Sequence, residues 1–156
     1  MKIYRSNQPI DTTLSFHNSV FLAGPSPRNS KTESWRPKAI DILETLNYNG
    51  CVFAPEPFGE SYEYQLTWEL WALETVDAIA FWVPRYLPLM PGLTTNVEFG
   101  MFLNSGKIIY GHPNDAEHCK YLDWHYKRIT GKNPHNDLQK LMKDVTIKYQ
   151  KDRNEG

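Results

Sequence analysis

Cysteine is scarce in this chain of 156 residues: Cys51 and Cys119 are the whole complement, and neither stands in a CxxC or Cys/His ligand pattern. A disulfide-stapled scaffold and a thiolate metal centre are thereby excluded, and both residues read as reduced thiols. Long apolar runs are missing too. No stretch approaches the roughly 18 residues of a membrane span, and the N-terminus has no apolar signal-peptide core. The reading is therefore a soluble, cytoplasmic protein with no membrane partner. Excess charge of one sign is also lacking, because 17 Lys and Arg oppose 18 Asp and Glu for a net charge of −1. The cations are scattered, which argues against bulk nucleic acid as a ligand. His17, His112, His118, His125 and His135 have no metal-ligand spacing, so no metal is expected. Serine and thiol hydrolysis lack their nucleophile-elbow and Cys/His signatures. Repeats and low-complexity segments are absent as well.

What is present suits one globular domain over residues 1–156, at 40% hydrophobic and 22% charged. Aromatics are plentiful, with five Trp and nine Tyr. They fit a well-filled core, a base-stacking site or a subunit interface, and composition does not choose among the three.

Along the chain, a short edge strand at residues 2–5 precedes a buried apolar strand at 19–23, which Gly24-Pro25 ends. Residues 35–46 carry Trp35, Ala39, Ile42, Leu43 and Leu46 at helical spacing, closed by Asn49-Gly50. A second strand at 51–54 is cut off by Pro55 and Pro57, and an aromatic polar loop through Tyr64 overlaps the start of a helix over about 63–75. A strand at 77–83, a loop, a helix at 96–104 and a strand at 107–110 complete a β-α-β-α-β-α-β series. The fold class is α/β: a three-layer sandwich around a mostly parallel sheet of about four to five strands, flavodoxin-like or Rossmann-like, with C-terminal helices. Of those helices, one has a face marked by His118, Leu122, His125 and Ile129 and ends at Gly131, and the other covers 136–149, ahead of a charged tail at 151–156. Trp124 and Tyr126 are interface candidates.

Three places could carry chemistry. Thr95-Asn96-Val97-Glu98 follows the apolar strand at 77–83, so Glu98 falls at the carboxyl edge of the sheet, where a helix amino terminus favours an ionised, nucleophilic carboxylate. The same four residues also spell a capping box in which Thr95 and Glu98 only satisfy backbone amides. Glu69 is the second, because it shares a helical face with Leu66, Leu70 and Leu73 and interrupts an apolar stripe. Its alternative is a solvated position on a helix whose core face is undecided. The third is the loop Gly24-Pro25-Ser26-Pro27-Arg28-Asn29-Ser30, where α/β proteins receive nucleotides. Pro25 and Pro27 lack N–H donors, so the loop favours a sugar or base, with Arg28 available for phosphate. A rigid turn whose Ser30 or Thr32 caps the next helix is equally compatible.

As an ordered set, Val20-Phe-Leu-Ala-Gly-Pro25, Trp68-Glu69 with Leu73, Asp77-Ala-Ile-Ala-Phe-Trp, and Thr95-Asn-Val-Glu-Phe-Gly100 with Gly106-Lys107 resemble the nucleoside 2-deoxyribosyltransferase-like family over about residues 19–113. The resemblance implies that Glu98, in a helix-opening E-x-G element, is the nucleophile and that Glu69 engages the deoxyribose. It also implies sugar and base contacts from Thr94, Thr95 and Asn96, a base or 5′ end bordered by Gly24, Pro25, Ser26 and Arg28, no cofactor, and a homo-oligomer acting on a small nucleoside or nucleotide. The implied reaction is deoxyribosyl transfer between bases, with N-glycoside hydrolysis and a non-catalytic nucleotide-binding module as alternatives. Where such enzymes carry an aspartate shortly before the nucleophile, this chain has Pro91-Gly92-Leu93-Thr94.

Overall fold

Five strands form the middle layer of the computed structural model, which describes residues 1–59 and 61–154, with the side chains of 149–154 left out of the description. They are β1 (Lys2–Arg5), β2 (Ser19–Ala23), β3 (Cys51–Ala54), β4 (Ala78–Trp82) and β5 (Ile108–Gly111), in the order β1-β3-β2-β4-β5. Every pairing is parallel. Because the chain steps outward from β2 to β3 and then returns across β2 to reach β4, the direction of winding reverses between β2 and β4, and a crevice opens at their carboxyl ends.

Strand alternation decides what covers each face. Val20, Leu22, Val52, Ala80, Trp82 and Ile109 point to the side taken by α1 (Arg36–Thr45) and α5 (Leu138–Asn154). Phe21, Phe53, Ile79, Phe81 and Tyr110 point to the other, under α2 (Tyr62–Thr75), α3 (Leu93–Phe102) and α4 (Lys120–Thr130). Burial on both faces explains why the strands read as continuous apolar runs, and each large side chain so enclosed contributes roughly 1.5–3 kcal/mol. The aromatics divide accordingly: Trp35 and Trp68 belong to the core, whereas Trp124 is exposed with the Arg128 guanidinium over its ring. Tyr126 is buried under α4 and is no interface residue. Both cysteines are free.

Several helix readings need correction. The core face of α2 is Gln65, Trp68, Ala72 and Leu73, while Leu66 and Leu70 are exposed, so the Leu66-Leu70-Leu73 stripe is not the packed one. On α4 the packed residues are Leu122 and Tyr126, and His118 lies before the helix in a left-handed conformation. His112 and His135 face the carboxylates of Asp123 and Asp144. The charged segment from Lys151 continues α5 to Asn154, and Glu155 and Gly156 of that tail lie outside the described residues. Described helices are too short or too polar to cross a membrane.

The start of α3 matters most. It begins at Leu93, with Gly92 as its N-cap at φ 61°, a left-handed conformation suited to glycine, and with no side-chain cap. A side chain at Gly92 would also strike Pro25, 2.7 Å from its Cβ position. Thr95 and Glu98 therefore sit inside the helix and form no capping box. Ser30 and Thr32 likewise do not cap α1, whose N-cap is Trp35.

Candidate active site

A cleft of about 530 Å³ occupies the crevice at the carboxyl ends of β2, β3 and β4. Glu69 enters it from α2 and Glu98 from α3. Gly24, Pro25, Ser26 and Arg28 form one wall, and Thr94 and Thr95 line another. Of the residues expected from sequence, Asn96 is the exception: its Oδ1 accepts from the Arg85 guanidinium, and it does not line the cleft. The missing signal was helical phase, since a helix that starts at Leu93 turns Thr94, Thr95 and Glu98 inward and Asn96 aside.

The wall after β2 is rigid for stated reasons. Gly24 has φ 148°, and a Cβ there would lie 2.0 Å from the Trp82 carbonyl oxygen, so only glycine fits this close approach of two strand ends. The Trp35 indole donates to the Pro25 carbonyl at 3.1 Å. Arg28 donates its backbone N–H to the Leu89 carbonyl at 2.9 Å, which ties this loop to the one after β4. That amide is thus committed to protein, and with two prolines beside it the loop is no phosphate nest. The exposed Arg28 side chain lies at the rim.

Arg36 was not apparent from sequence, where it passes as a surface residue of a helix. It is buried, donating Nε to the Leu22 carbonyl at 2.9 Å and Nη2 to the Gly24 carbonyl at 2.7 Å. Its Nη1 reaches Ser26 Oγ at 3.0 Å and Glu56 Oε1 at 2.6 Å. Burial pulls the guanidinium below its ordinary value, and Glu56, then Glu69 and Glu98, pull it back. Gln65 is the other residue missed: its side chain accepts from the Gly59 N–H at 2.8 Å and donates to the Pro55 carbonyl at 3.1 Å and to Glu69 Oε1. It shares an inward face with Glu69, four residues on, which only the packed phase of α2 makes visible.

These surroundings set the ionisation of Glu98. Its carboxyl is pushed up to about 8, first by burial and then by the negative charge of Glu69, against the opposing pull of Arg36. At neutral pH Glu98 therefore favours its protonated form. The helix dipole does not prevent this, because Glu98 is the sixth residue of α3 and the dipole's influence fades within the first turn. The expectation that a helix amino terminus keeps Glu98 ionised is corrected on that ground.

Two interacting carboxyls beside a buried cation, in the crevice of a doubly wound sheet, define a cleft suited to a small polar ligand. The model of the family described as nucleoside 2-deoxyribosyltransferase like matches residues 17–116, and the chain belongs to that family. A comparison with curated proteins finds no match.

Proposed function

We propose that the protein transfers a 2-deoxyribosyl group between nucleobases, with Glu98 as nucleophile. The observation that carries this reading is the direct interaction of Glu98 with Glu69 on the floor of the cleft, beside Arg36. In the reactive form the pair's proton is on Glu69 and Glu98 is the anion. The Glu98 carboxylate attacks C1′, the glycosidic bond breaks through an oxocarbenium-like transition state, and the departing base takes the proton from Glu69. An incoming base then gives a proton back to Glu69 and displaces Glu98 from C1′. Two inversions leave the anomeric configuration unchanged. Gln65 supports this role of Glu69 by holding its Oε1. Thr94 and Thr95 supply polar contacts at the start of α3, while Gly24, Pro25 and Ser26 border the base or the 5′ end.

A second reading, hydrolysis of a nucleoside 5′-phosphate, is favoured by the exposed Arg28 at the rim, a guanidinium free to form charge-assisted bonds to phosphate. Incubation with deoxyinosine and free adenine separates the readings by chromatography. Deoxyadenosine is the expected product, and its formation falls on the order of a thousandfold or more in Glu98→Ala. Free base and deoxyribose 5-phosphate, formed from a deoxynucleoside 5′-monophosphate and not from deoxyinosine, assign hydrolysis. Equal rates for wild type and Glu98→Ala remove Glu98 from the mechanism.

A further inference from the structure

The loop that follows β3, Pro55-Glu56-Pro57-Phe58-Gly59, supplies one side of the cleft through Pro55, Phe58 and Gly59. The same loop delivers Glu56 to Arg36 and meets the Gln65 amide, which in turn bonds Glu69. Its own backbone is poorly equipped to hold a shape. Strand pairing ends at Ala54, and the two prolines have no N–H to offer.

What holds the loop comes from the edge of the sheet. β1 runs parallel to β3 with Arg5 opposite Ala54, so the chain leaves β1 at the same carboxyl end at which the loop begins. Ser6, the next residue, is fully buried. Its Oγ lies 2.7 Å from the Pro55 carbonyl oxygen and 3.0 Å from that of Pro57, with one hydroxyl hydrogen between them. Arg5 Nη1 donates to the carbonyl of Glu56, between these two, at 2.8 Å. Three consecutive carbonyls are thus gripped by two consecutive residues. With the loop fixed in this way, Phe58 stands at the cleft 55% exposed instead of folding onto the core. Ser6 itself does not line the cleft, and it precedes the stretch shared with the family.

We propose that Ser6, assisted by Arg5, is a positioning residue that sets the loop wall of the cleft without touching the ligand. Its hydroxyl acts on carbonyls immediately before Phe58 and Gly59, so a small backbone movement there is carried straight into the cleft. Ser19 supplies the contrast. It is likewise buried, and its Oγ lies 2.9 Å from the Phe16 carbonyl oxygen and 3.0 Å from the Asp77 carboxylate, but at the amino edge of the sheet, where β2 begins. Ser6 shapes the cleft whichever reaction runs there, so only the kinetic arm of the following test rests on the proposed transfer.

Amide exchange and steady-state kinetics on the full chain test this role. In Ser6→Ala the Gly59 amide, which Gln65 holds, is expected to exchange about tenfold faster or more. KM for deoxyinosine is expected to rise about tenfold with kcat little changed, because a loosened wall weakens binding while Glu98 keeps its place. Ser19→Ala is expected to lose comparable stability in urea and to keep wild-type values in both readouts. Equal changes in the two variants, an unchanged Gly59 amide, or an unchanged KM in Ser6→Ala overturns the proposal. Should Ser6→Ala not fold, Arg5→Met replaces it at a half-buried position: faster Gly59 exchange supports the proposal, and an unchanged amide overturns it. A wild type without transferase activity counts against the reaction alone, and the exchange arm then decides on Ser6.

Discussion

Arg36 and Arg85 are both buried and both hold the loops that follow strands, and they differ in what answers their charge. Arg36 binds the Leu22 and Gly24 carbonyls, Ser26 and the Glu56 carboxylate. Arg85 binds only neutral acceptors: the Pro91 carbonyl at 2.8 Å, the His118 carbonyl at 2.9 Å and the Asn96 side chain. The first is both a brace and a source of field at the carboxyl pair. The second is a brace: by gripping Pro91 and Asn96 it sets where α3 begins, and therefore where Glu98 points. Arg85 does pull on the Cys119 thiol, against the burial that raises it, but that thiol does not line the cleft, whereas Arg36 is aimed at the carboxyl pair within it.

Removing Arg36 is the strongest way to break the comparison. Arg36→Met leaves Glu56 without its partner and two carbonyls unsatisfied, and is expected to cost about 3–5 kcal/mol in urea unfolding. Because the Arg36 charge lowers the Glu98 titration, its loss moves the alkaline limb of kcat/KM to higher pH. Arg85→Met is expected to cost less, about 2–3 kcal/mol, since its acceptors are neutral, and to lower kcat with the alkaline limb in place. A limb that moves equally in both variants would show that Arg36 acts only as a brace.

The smallest effect sharpens the electrostatic half. Glu98 has a folded-state value of about 8, above the ordinary 4.5, so it contributes stability that is complete below about pH 4.5 and is lost as pH rises through about 8. Glu98→Gln has no such dependence. Urea unfolding is expected to show the variant gaining on wild type by about 2 kcal/mol between pH 5 and pH 9, a figure reduced for the solvent that reaches this half-buried group. A constant difference across that range would show that Glu98 titrates normally.

Much of the architecture was legible before any coordinates. The apolar runs ending in Gly24-Pro25, in Pro55 and in Val83-Pro84 mark strands buried on both faces, and their alternation with helical spacing forces a parallel sheet. Glu98 and the Gly24 to Arg28 loop could be placed at one edge of that sheet because each follows a strand, whereas Glu69 stood out only as an acid interrupting an apolar helical stripe. Helix phase was less legible. The Thr95-x-x-Glu98 spacing imitates a cap, and the true start at Gly92 depends on a left-handed turn pressed against Pro25, a contact 67 positions away in the chain. The α2 stripe misled for a similar reason, since Leu66 and Leu70 are apolar without facing the core.

The order of apolar runs, turns and helical spacings by itself determined the fold class and which acidic residues could reach the sheet's carboxyl edge, because these follow from local periodicity. Tertiary structure decided that Glu98 meets Glu69, that Arg36 faces them, that Asn96 turns away to Arg85, and that α3 shows an apolar face to the outside. Those outcomes depend on long side chains converging from remote segments in a water-poor cleft, and both the distances and the dielectric exist only once the chain has packed.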